Sequence, residues 1–236
     1  MTTAQVSRSF DTLKSIRKST GFVRTAISLF AMLPLLLAGM ANSWAEEYVE
    51  GEHYDLISPV IRGSSEKIEV TEFFWYGCGH CYTFEPQLSQ WKKSLPDDVV
   101  LKGSPAMWNP LMKVHAQAFY TAEALGVLDK VHMPLFQALN IDRKRLGSEL
   151  ELAAIFTANG VSGEDFKKAF NSFGVGSQVR QADSRARAAK ISGTPEMMVA
   201  GKYRINTRAA GGQAEMLKVV DYLIEKERAA MATAGL

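Results

Sequence analysis

The chain has 236 residues and a formal net charge of +2, from 27 basic and 25 acidic side chains. Five of the basic residues and only one acidic residue lie in the first 45 positions, so the rest of the chain carries a net charge of −2. A mildly acidic body without a Lys/Arg cluster lacks the electrostatic footprint of a nucleic-acid-binding protein, and we expect no nucleic-acid partner.

The first 45 residues have the three parts of a cleavable signal peptide. A basic region ends at Arg24, an apolar run of 15 residues follows at positions 26–40, and small residues flank Trp44. A membrane-spanning helix needs about 20 apolar residues, and Pro34 interrupts this shorter run. We therefore predict cleavage after Ala45 and export of the remaining chain. An uncleaved membrane anchor is the alternative.

The first predicted elements are a strand, a helix and a second strand. Residues 67–76 are rich in β-branched and aromatic side chains and are almost continuously apolar, which is typical of a buried central strand. A helix is predicted for residues 78–91, and Pro86 is expected to kink it. Residues 99–101 are the next short strand, which gives way to a proline-containing loop.

Residues 110–190 predict an all-helical insertion. Apolar residues recur there at spacings of three and four, which is the period of an amphipathic helix. Ser148 with Glu151 and Ser162 with Asp165 form pairs that are typical of helix N-termini. The pattern predicts several consecutive helices within one segment.

Strands return after this segment, at residues 197–200 and 203–205, with Gly201 and Lys202 predicted as a two-residue hairpin turn. A terminal helix follows. The predicted fold class is α/β, a mixed sheet interrupted by an all-helical domain. The predicted organisation is a signal peptide at 1–45, a sheet-containing domain formed by 46–109 and 191–236, and a helical insertion at 110–190.

The chain contains two cysteines, and both belong to one tetrapeptide, Cys78-Gly79-His80-Cys81. At a helix start, residues at this spacing lie about 5–6 Å apart, which permits a disulfide. Closing a four-residue loop gains only about 2 kcal/mol in the chain-entropy model, so a structural crosslink is a poor explanation. A metal site usually has four ligands, and a second cysteine pair is absent. Redox chemistry is favoured, with a crosslink and a two-cysteine metal site as alternatives.

The junction between the strand and the helix favours ionisation of Cys78. Free backbone N–H groups and the positive end of the helix dipole point at its sulfur, and His80 can add a donor or a positive charge. A stabilised thiolate favours the reduced pair and makes the disulfide oxidising. We expect a substrate thiolate to attack Cys78 and form a mixed disulfide, while Cys81 stays covered one turn inside the helix.

Two carboxyl groups lie close to the cysteines in the sequence. The two-residue period of the strand places Glu72 on the face of its apolar neighbours, which predicts a buried carboxyl with a raised pKa that exchanges a proton with Cys81. An exposed carboxylate beyond the sheet edge is the alternative. Glu85 lies one helical turn after Cys81 and is predicted to lie on a solvated helix face, with a proton-exchanging role like that of Glu72 as the alternative.

The histidines outside the tetrapeptide are scattered along the chain. His115 lies on an apolar helical face and is predicted to be a core histidine with satisfied hydrogen bonds, and we assign no chemistry to His53 or His132. Trp75 and Tyr76 are candidates for the border of an apolar substrate groove.

These motifs together resemble the DsbA family of the thioredoxin superfamily. The matching residues are Glu72-Phe73-Phe74, Cys78-Gly79-His80-Cys81-Tyr82, Phe84-Glu85 and Thr194-Pro195. The resemblance covers residues 46–228 and implies a thioredoxin-like fold. It also implies that Pro195 is a cis-proline facing the cysteines, and that Thr194 offers backbone hydrogen bonds to a substrate segment, beside Gly79 and Trp75. One departure is the Gly-His dipeptide between the cysteines, as in protein disulfide isomerase, where the best-known family member has Pro-His.

The resemblance implies a periplasmic thiol–disulfide oxidoreductase that donates the Cys78–Cys81 disulfide to newly exported polypeptides. It implies no cofactor beyond that disulfide, and a membrane reoxidant resembling DsbB. An isomerase or reductase of the same fold is the main alternative, and a nonenzymatic peptide or metal carrier is a further one. A separate N-terminal dimerisation module is not visible, so we expect a monomer.

Overall fold

The computed structural model describes residues 48–63 and 66–233. The predicted signal peptide, residues 1–45, lies outside this range. The strands are β1 (Asp55–Leu56), β2 (Ile68–Phe74), β3 (Val99–Pro105), β4 (Glu196–Val199) and β5 (Tyr203–Asn206). The helices are α1 (Gly79–Lys92), α2 (Pro110–Ala124), α3 (Leu128–Asn140), α4 (Glu149–Ala158), α5 (Gly163–Phe170), α6 (Phe173–Ala188) and α7 (Gln213–Thr233). Within the described ranges, none of these helices is long and apolar enough to cross a membrane.

The strands form one mixed sheet in the order β1-β5-β4-β2-β3. Strand β2 pairs in parallel with β3 and antiparallel with β4, so it lies inside the sheet. All seven residues of β2 are buried, as its continuous apolar character predicts. The predicted α/β fold with a mixed sheet is confirmed, and the strand that leads to the cysteines is buried along its whole length.

Helices α2 to α6 follow one another between β3 and β4, in the segment predicted to be helical. The two predicted caps are present. Ser148 Oγ accepts a hydrogen bond from the Glu151 amide at 3.3 Å, and Ser162 Oγ accepts one from the Asp165 amide at 3.0 Å. Whether this helical segment is a separate domain with the predicted boundaries stays a prediction.

Two large apolar clusters meet at the end of β2. One lies between the sheet and helix α7 and includes Val70, Phe84 and Leu88. The other is formed mainly by α2 to α6, and Phe74, Tyr76 and Cys81 belong to it. The loop from β2 to α1 therefore lies where the two clusters adjoin, and Cys81 is buried against the helical one.

Three local predictions need correction. Strand β1 was not predicted, because two residues are too few to show an alternating pattern. Strand β3 continues to Pro105 instead of ending at residue 101; as an edge strand it tolerates a proline at its end. The predicted hairpin turn is wrong by one residue: the Lys202 amide bonds to the Val199 carbonyl at 2.9 Å, so Ala200 and Gly201 are the central residues, with φ of 52° and 65°.

Gly201 is required at this turn. A Cβ built on it would lie 1.7 Å from the carbonyl oxygen of Ile61, in addition to the left-handed backbone conformation. The turn thereby brings the segment after β1 against the β4–β5 hairpin, where the Ile61 amide donates to the Gly201 carbonyl at 3.0 Å.

Candidate active site

The cysteine pair lies at the N-terminus of helix α1. Cys78 is the N-cap residue, in an extended conformation, and its Sγ accepts a hydrogen bond from the Cys81 amide at 3.3 Å. Both cysteines are free thiols. Cys78 is half-buried, while Cys81 is completely buried. Within one helical turn, the Cys78 sulfur is therefore accessible to solvent and the Cys81 sulfur is not.

The Cys78 thiol is strongly acidified. Its pKa falls from an ordinary value of 9.0 to about 5, chiefly because the Cys81 thiol donates a hydrogen bond to it. The Thr194 side chain and the backbone amides of Cys81 and His80 also lower it, while partial burial opposes them. His80 contributes through its amide, and its side chain is exposed.

The loop before β4 lies against Cys78. The Thr194–Pro195 peptide bond is cis, and Cys78 Sγ lies 3.4 Å from the Thr194 carbonyl oxygen. Pro195 is buried, and Thr194 is half-buried. The structure thus brings together Cys78, Thr194 and Pro195, which are more than a hundred positions apart in the sequence.

Glu196 holds this loop, although no local sequence pattern singles it out. It is buried, and its Oε1 accepts hydrogen bonds from the Gly193 amide at 2.8 Å, the Ser192 amide at 3.2 Å and the Ser192 hydroxyl at 3.1 Å. Because these bonds fix the two residues before Thr194, Glu196 positions the segment that contacts Cys78.

The opposite side of the pair is buried and acidic. Burial raises the pKa of the Cys81 thiol far above its ordinary value, and its interactions with Cys78 and Glu72 raise it further. Glu72 is only 4% exposed, so its predicted burial is observed. Burial, the charge of Glu85 and the charge of Cys78, in that order, raise the pKa of Glu72 well above its usual range.

Glu72 and Glu85 line the same cavity, of about 320 Å³. The prediction that Glu85 lies on a solvated face is wrong: its side chain is 14% exposed, because helix α3 packs over this side of α1. Its Oε1 lies 3.2 Å from Nε2 of His132, a residue to which the sequence assigned no role. His132 Nδ1 in turn lies 2.8 Å from the Tyr76 hydroxyl oxygen.

Trp75 and Tyr76, the two candidates for the border of a substrate groove, differ in exposure. Tyr76 is buried and does not border a surface groove, whereas Trp75 is half-buried. The Trp75 indole donates to His115 Nδ1 at 2.9 Å, and His115 Nε2 lies within 3.2 Å of two backbone carbonyls. His115 is thus the core histidine that was predicted. The Trp75 ring lies so close to Gly77 that a Cβ there would approach it to 2.4 Å.

Two side-chain amides hold the segment around the cysteines in place, and no local sequence pattern points to them. Asn140, at the end of α3, donates to the Tyr76 carbonyl at 2.8 Å, and Gln213, at the start of α7, donates to the His80 carbonyl at 2.7 Å. Across the described residues, no cluster of three or more His, Cys, Asp or Glu side chains is arranged to hold a metal ion.

Thiol–disulfide exchange is the chemistry that this geometry supports, since an accessible thiolate and a covered thiol face each other within one helical turn. The fold and the site define the class of thioredoxin-like thiol–disulfide oxidoreductases, whose redox centre is the cysteine pair itself. A family model described as a DSBA-like thioredoxin domain matches residues 69–223. The chain belongs to the DsbA family.

Individual relatives agree with this assignment. The chain is 44% identical over 204 residues to the thiol:disulfide interchange protein DsbA of Pseudomonas aeruginosa, covering 86% of this chain and 96% of the relative. It is 41% identical over 210 residues to the DsbA of Azotobacter vinelandii, covering 89% and 97%. The crystal structure of Pseudomonas aeruginosa DsbA superposes with a TM-score of 0.77 at 42% identity, over 80% of this chain and 98% of that one.

Proposed function

We propose that this oxidoreductase works as a disulfide donor, passing the Cys78–Cys81 disulfide to newly exported polypeptides. The observation that carries the proposal is the N-cap position of Cys78, whose Sγ accepts a hydrogen bond from the Cys81 amide at 3.3 Å; with the bond from the Cys81 thiol, this environment lowers the pKa of Cys78 to about 5. At pH 7 a thiol with this pKa is roughly 99% ionised, whereas one with a pKa of 9.0 is roughly 1% ionised. Stabilising the thiolate stabilises the reduced pair, so the disulfide is readily given away.

The reaction begins when a substrate thiolate attacks Cys78 of the oxidised pair. A bond forms between the substrate sulfur and Cys78, the Cys78–Cys81 bond breaks, and Cys81 leaves as a thiolate. Because burial disfavours that charge, Cys81 takes up a proton, for which the buried carboxyl of Glu72 is the donor. A second substrate thiolate then attacks the first substrate sulfur. The substrate disulfide forms, and Cys78 leaves as the stabilised thiolate.

The substrate lies across the half-exposed side of the pair. We infer that Thr194, whose carbonyl oxygen lies 3.4 Å from Cys78 Sγ, and Pro195 contact the substrate together with the exposed Gly79 and the half-buried Trp75. An extended substrate segment beside Thr194 bonds to its backbone, as an added strand does at a sheet edge. Recognition through backbone groups suits an enzyme whose clients differ in sequence. His80, exposed between the cysteines, faces the same approach path.

The proposal includes the cellular location of the protein and its reoxidation. The signal-peptide pattern supports export to the periplasm with cleavage after Ala45, and membership of the DsbA family supports a membrane reoxidant resembling DsbB. Reoxidation reverses the proton transfer: Glu72 accepts the proton of Cys81, so that the Cys81 thiolate can form the disulfide again. We further propose that the protein acts as a monomer, without a cofactor besides its own disulfide.

Titration of the thiolate absorbance in the ultraviolet tests the proposal directly. The expected midpoint is about 5, and Cys78→Ser removes this transition. A midpoint near 9.0, the ordinary value for a thiol, refutes the donor role. Equilibration with a series of glutathione buffers then gives the reduction potential. A potential near that of cytosolic reductants assigns the chain to the reductases instead.

The two single-cysteine variants separate the roles of the sulfurs. Cys78→Ser is expected to abolish disulfide transfer to a reduced unfolded protein, because the attacked sulfur is missing. Cys81→Ser cannot form the internal disulfide, and mixed disulfides at its Cys78 are expected to accumulate, because no Cys81 thiol is present to attack them. Undiminished oxidation by either variant rejects the mechanism.

A further inference from the structure

His132 lies in an aromatic enclosure on the helical side of the site. Its ring centroid is 5.1 Å from that of Phe136, 5.6 Å from that of Phe74 and 6.2 Å from that of Phe119. An apolar side chain would fill this position without the cost of burying polar atoms. The histidine instead bonds at both ring nitrogens, to Tyr76 and to Glu85.

The surroundings of His132 select one arrangement of protons. Burial raises the pKa of Tyr76 well above its usual range, so the phenol keeps its proton and can donate it to His132 Nδ1, which lies 2.8 Å from the hydroxyl oxygen. In a neutral imidazole whose Nδ1 accepts, the proton is on Nε2. That N–H donates to Glu85 Oε1 over 3.2 Å. A hydrogen bond donated to a carboxylate favours its ionised form, and the charge of Glu85 is one of the influences that raise the pKa of Glu72.

We propose that Tyr76, His132 and Glu85 form a positioning chain that keeps a negative charge beside Glu72, so that Glu72, and not Glu85, carries the proton exchanged with Cys81. Both carboxyls line the same cavity, and Glu72 Oε1 and Glu85 Oε2 are buried and accept no hydrogen bond from any residue in the described ranges. Two adjacent buried carboxyls cannot both ionise without repulsion. The hydrogen bond from His132 selects Glu85 as the ionised carboxyl of the two. This inference rests on the proposed proton exchange between Glu72 and Cys81.

Other charged groups around the cavity are placed differently. Lys92 of α1, Glu123 of α2 and Asp129 of α3 also line it, but their side chains are exposed, so solvent screens their effect on Glu72. Lys102 of β3 lines it as well and bonds to Glu69 at 2.5 Å. The charge of Cys78 acts on Glu72 only while Cys78 is a thiolate. In a mixed disulfide that charge is gone, and the charge of Glu85 is left to act on Glu72.

The experiment follows the two sulfurs separately. Reduced protein is mixed with an aromatic disulfide that releases thionitrobenzoate. A first release accompanies formation of the mixed disulfide at Cys78, and a second release accompanies the attack of Cys81 on it. The rate of the second release rises with pH as Glu72 ionises and becomes able to accept the Cys81 proton. The midpoint of this rise therefore reports the proton affinity of Glu72.

A matched pair of variants at His132 tests the hydrogen bond that its Nε2–H group donates to Glu85. His132→Leu removes the N–H, destabilises the Glu85 carboxylate, and is expected to shift the midpoint of the second release down by about one pH unit, a tenfold effect typical of one neighbouring charge. His132→Gln keeps an N–H at the same distance from the backbone and is expected to retain the wild-type midpoint. Glu85→Gln removes the charge itself and is expected to produce the same downward shift as His132→Leu.

The double variant completes the test. If His132 acts through Glu85, His132→Leu combined with Glu85→Gln shifts the midpoint no further than either change alone. A wild-type midpoint in His132→Leu, or additive shifts in the double variant, overturns the proposal. The first release is an internal reference: an ordinary pH profile there refutes the acidified Cys78 and the donor function, whereas a normal first release with an unshifted second one refutes only the positioning chain.

Discussion

Replacing Glu72 with glutamine is expected to stabilise the folded protein at neutral pH. The carboxyl is 4% exposed, and its pKa is raised by burial and by the charges of Glu85 and Cys78. Ionising it in the folded state is therefore costly, whereas in the unfolded chain it ionises near 4.5. Glutamine keeps the shape of the side chain and is never charged. The variant loses the proton acceptor of Cys81, so it gains stability while the second thionitrobenzoate release slows.

The sign and size of the effect follow from proton linkage. Between 4.5 and the raised pKa, the folded state binds one more proton than the unfolded state, so the free energy of unfolding of the wild type falls as the pH rises. The slope approaches about 1.4 kcal/mol for each pH unit in this window. Below 4.5 the carboxyl is protonated in both states, and the pH-dependent advantage of Glu72→Gln disappears.

Urea unfolding of the reduced protein at a series of pH values measures this difference. Glu69→Gln is the matched control, because Glu69 is a buried residue of the same strand but bonds to Lys102 at 2.5 Å. Removing that paired carboxylate is expected to leave the free energy of unfolding unchanged or lower it at neutral pH. Equal responses of the two variants, or a Glu72→Gln difference that does not grow between acidic and neutral pH, would refute the assignment of Glu72 as a buried carboxyl with a raised pKa.

Three further substitutions address the surroundings of Cys78. Glu196→Ala is expected to lower the free energy of unfolding by about 1–3 kcal/mol and to raise the Cys78 pKa, because the loop before Pro195 loses its hydrogen-bond acceptor. Glu196→Gln keeps an acceptor oxygen and is the control. The thiolate absorbance of the two variants measures the difference in Cys78 pKa. Gly77→Ala places a Cβ 2.4 Å from the Trp75 ring, so a changed tryptophan fluorescence and weaker peptide binding are expected. His80→Ala keeps its backbone amide, and most of the acidity of Cys78 is expected to survive in the absorbance titration.

Elements whose causes are local in sequence were predicted well. The buried strand β2 is recognisable because its apolar residues are almost continuous. The starts of helices α4 and α5 are recognisable because a serine is followed three positions later by an acidic residue. The redox pair is visible for the same reason, since Cys78 and Cys81 are neighbours on one turn. The turn after β4 was misplaced by one residue, because the glycine pattern does not tell which of its neighbours takes the first left-handed position.

The acidic side of the pair depends on contacts that a local pattern does not contain. Glu85 would lie on an outward face of an isolated α1, and it is covered only because α3 packs there. His132 belongs to that second helix, so its link to Glu85 exists only after folding. One signal was available: His132 interrupts the apolar stripe formed by Leu128, Val131 and Leu135, and a polar residue in such a stripe needs a partner.

The contrast between the two thiols also fixes how the reduction potential depends on pH. At neutral pH Cys78 is ionised, because its pKa is about 5, and Cys81 keeps its proton, because burial raises its pKa far above the ordinary value. Reduction of the disulfide then takes up two electrons and one proton, which gives a slope of about 30 mV per pH unit. If both thiols were protonated the slope would be about 59 mV per pH unit, as for two protons. Potentials of the Glu72→Gln variant, which lacks the carboxyl whose pKa is raised by the Cys78 charge, are measured in glutathione buffers between pH 6 and pH 8. A slope of about 59 mV per pH unit in this variant would show that the thiolate assigned to Cys78 does not exist.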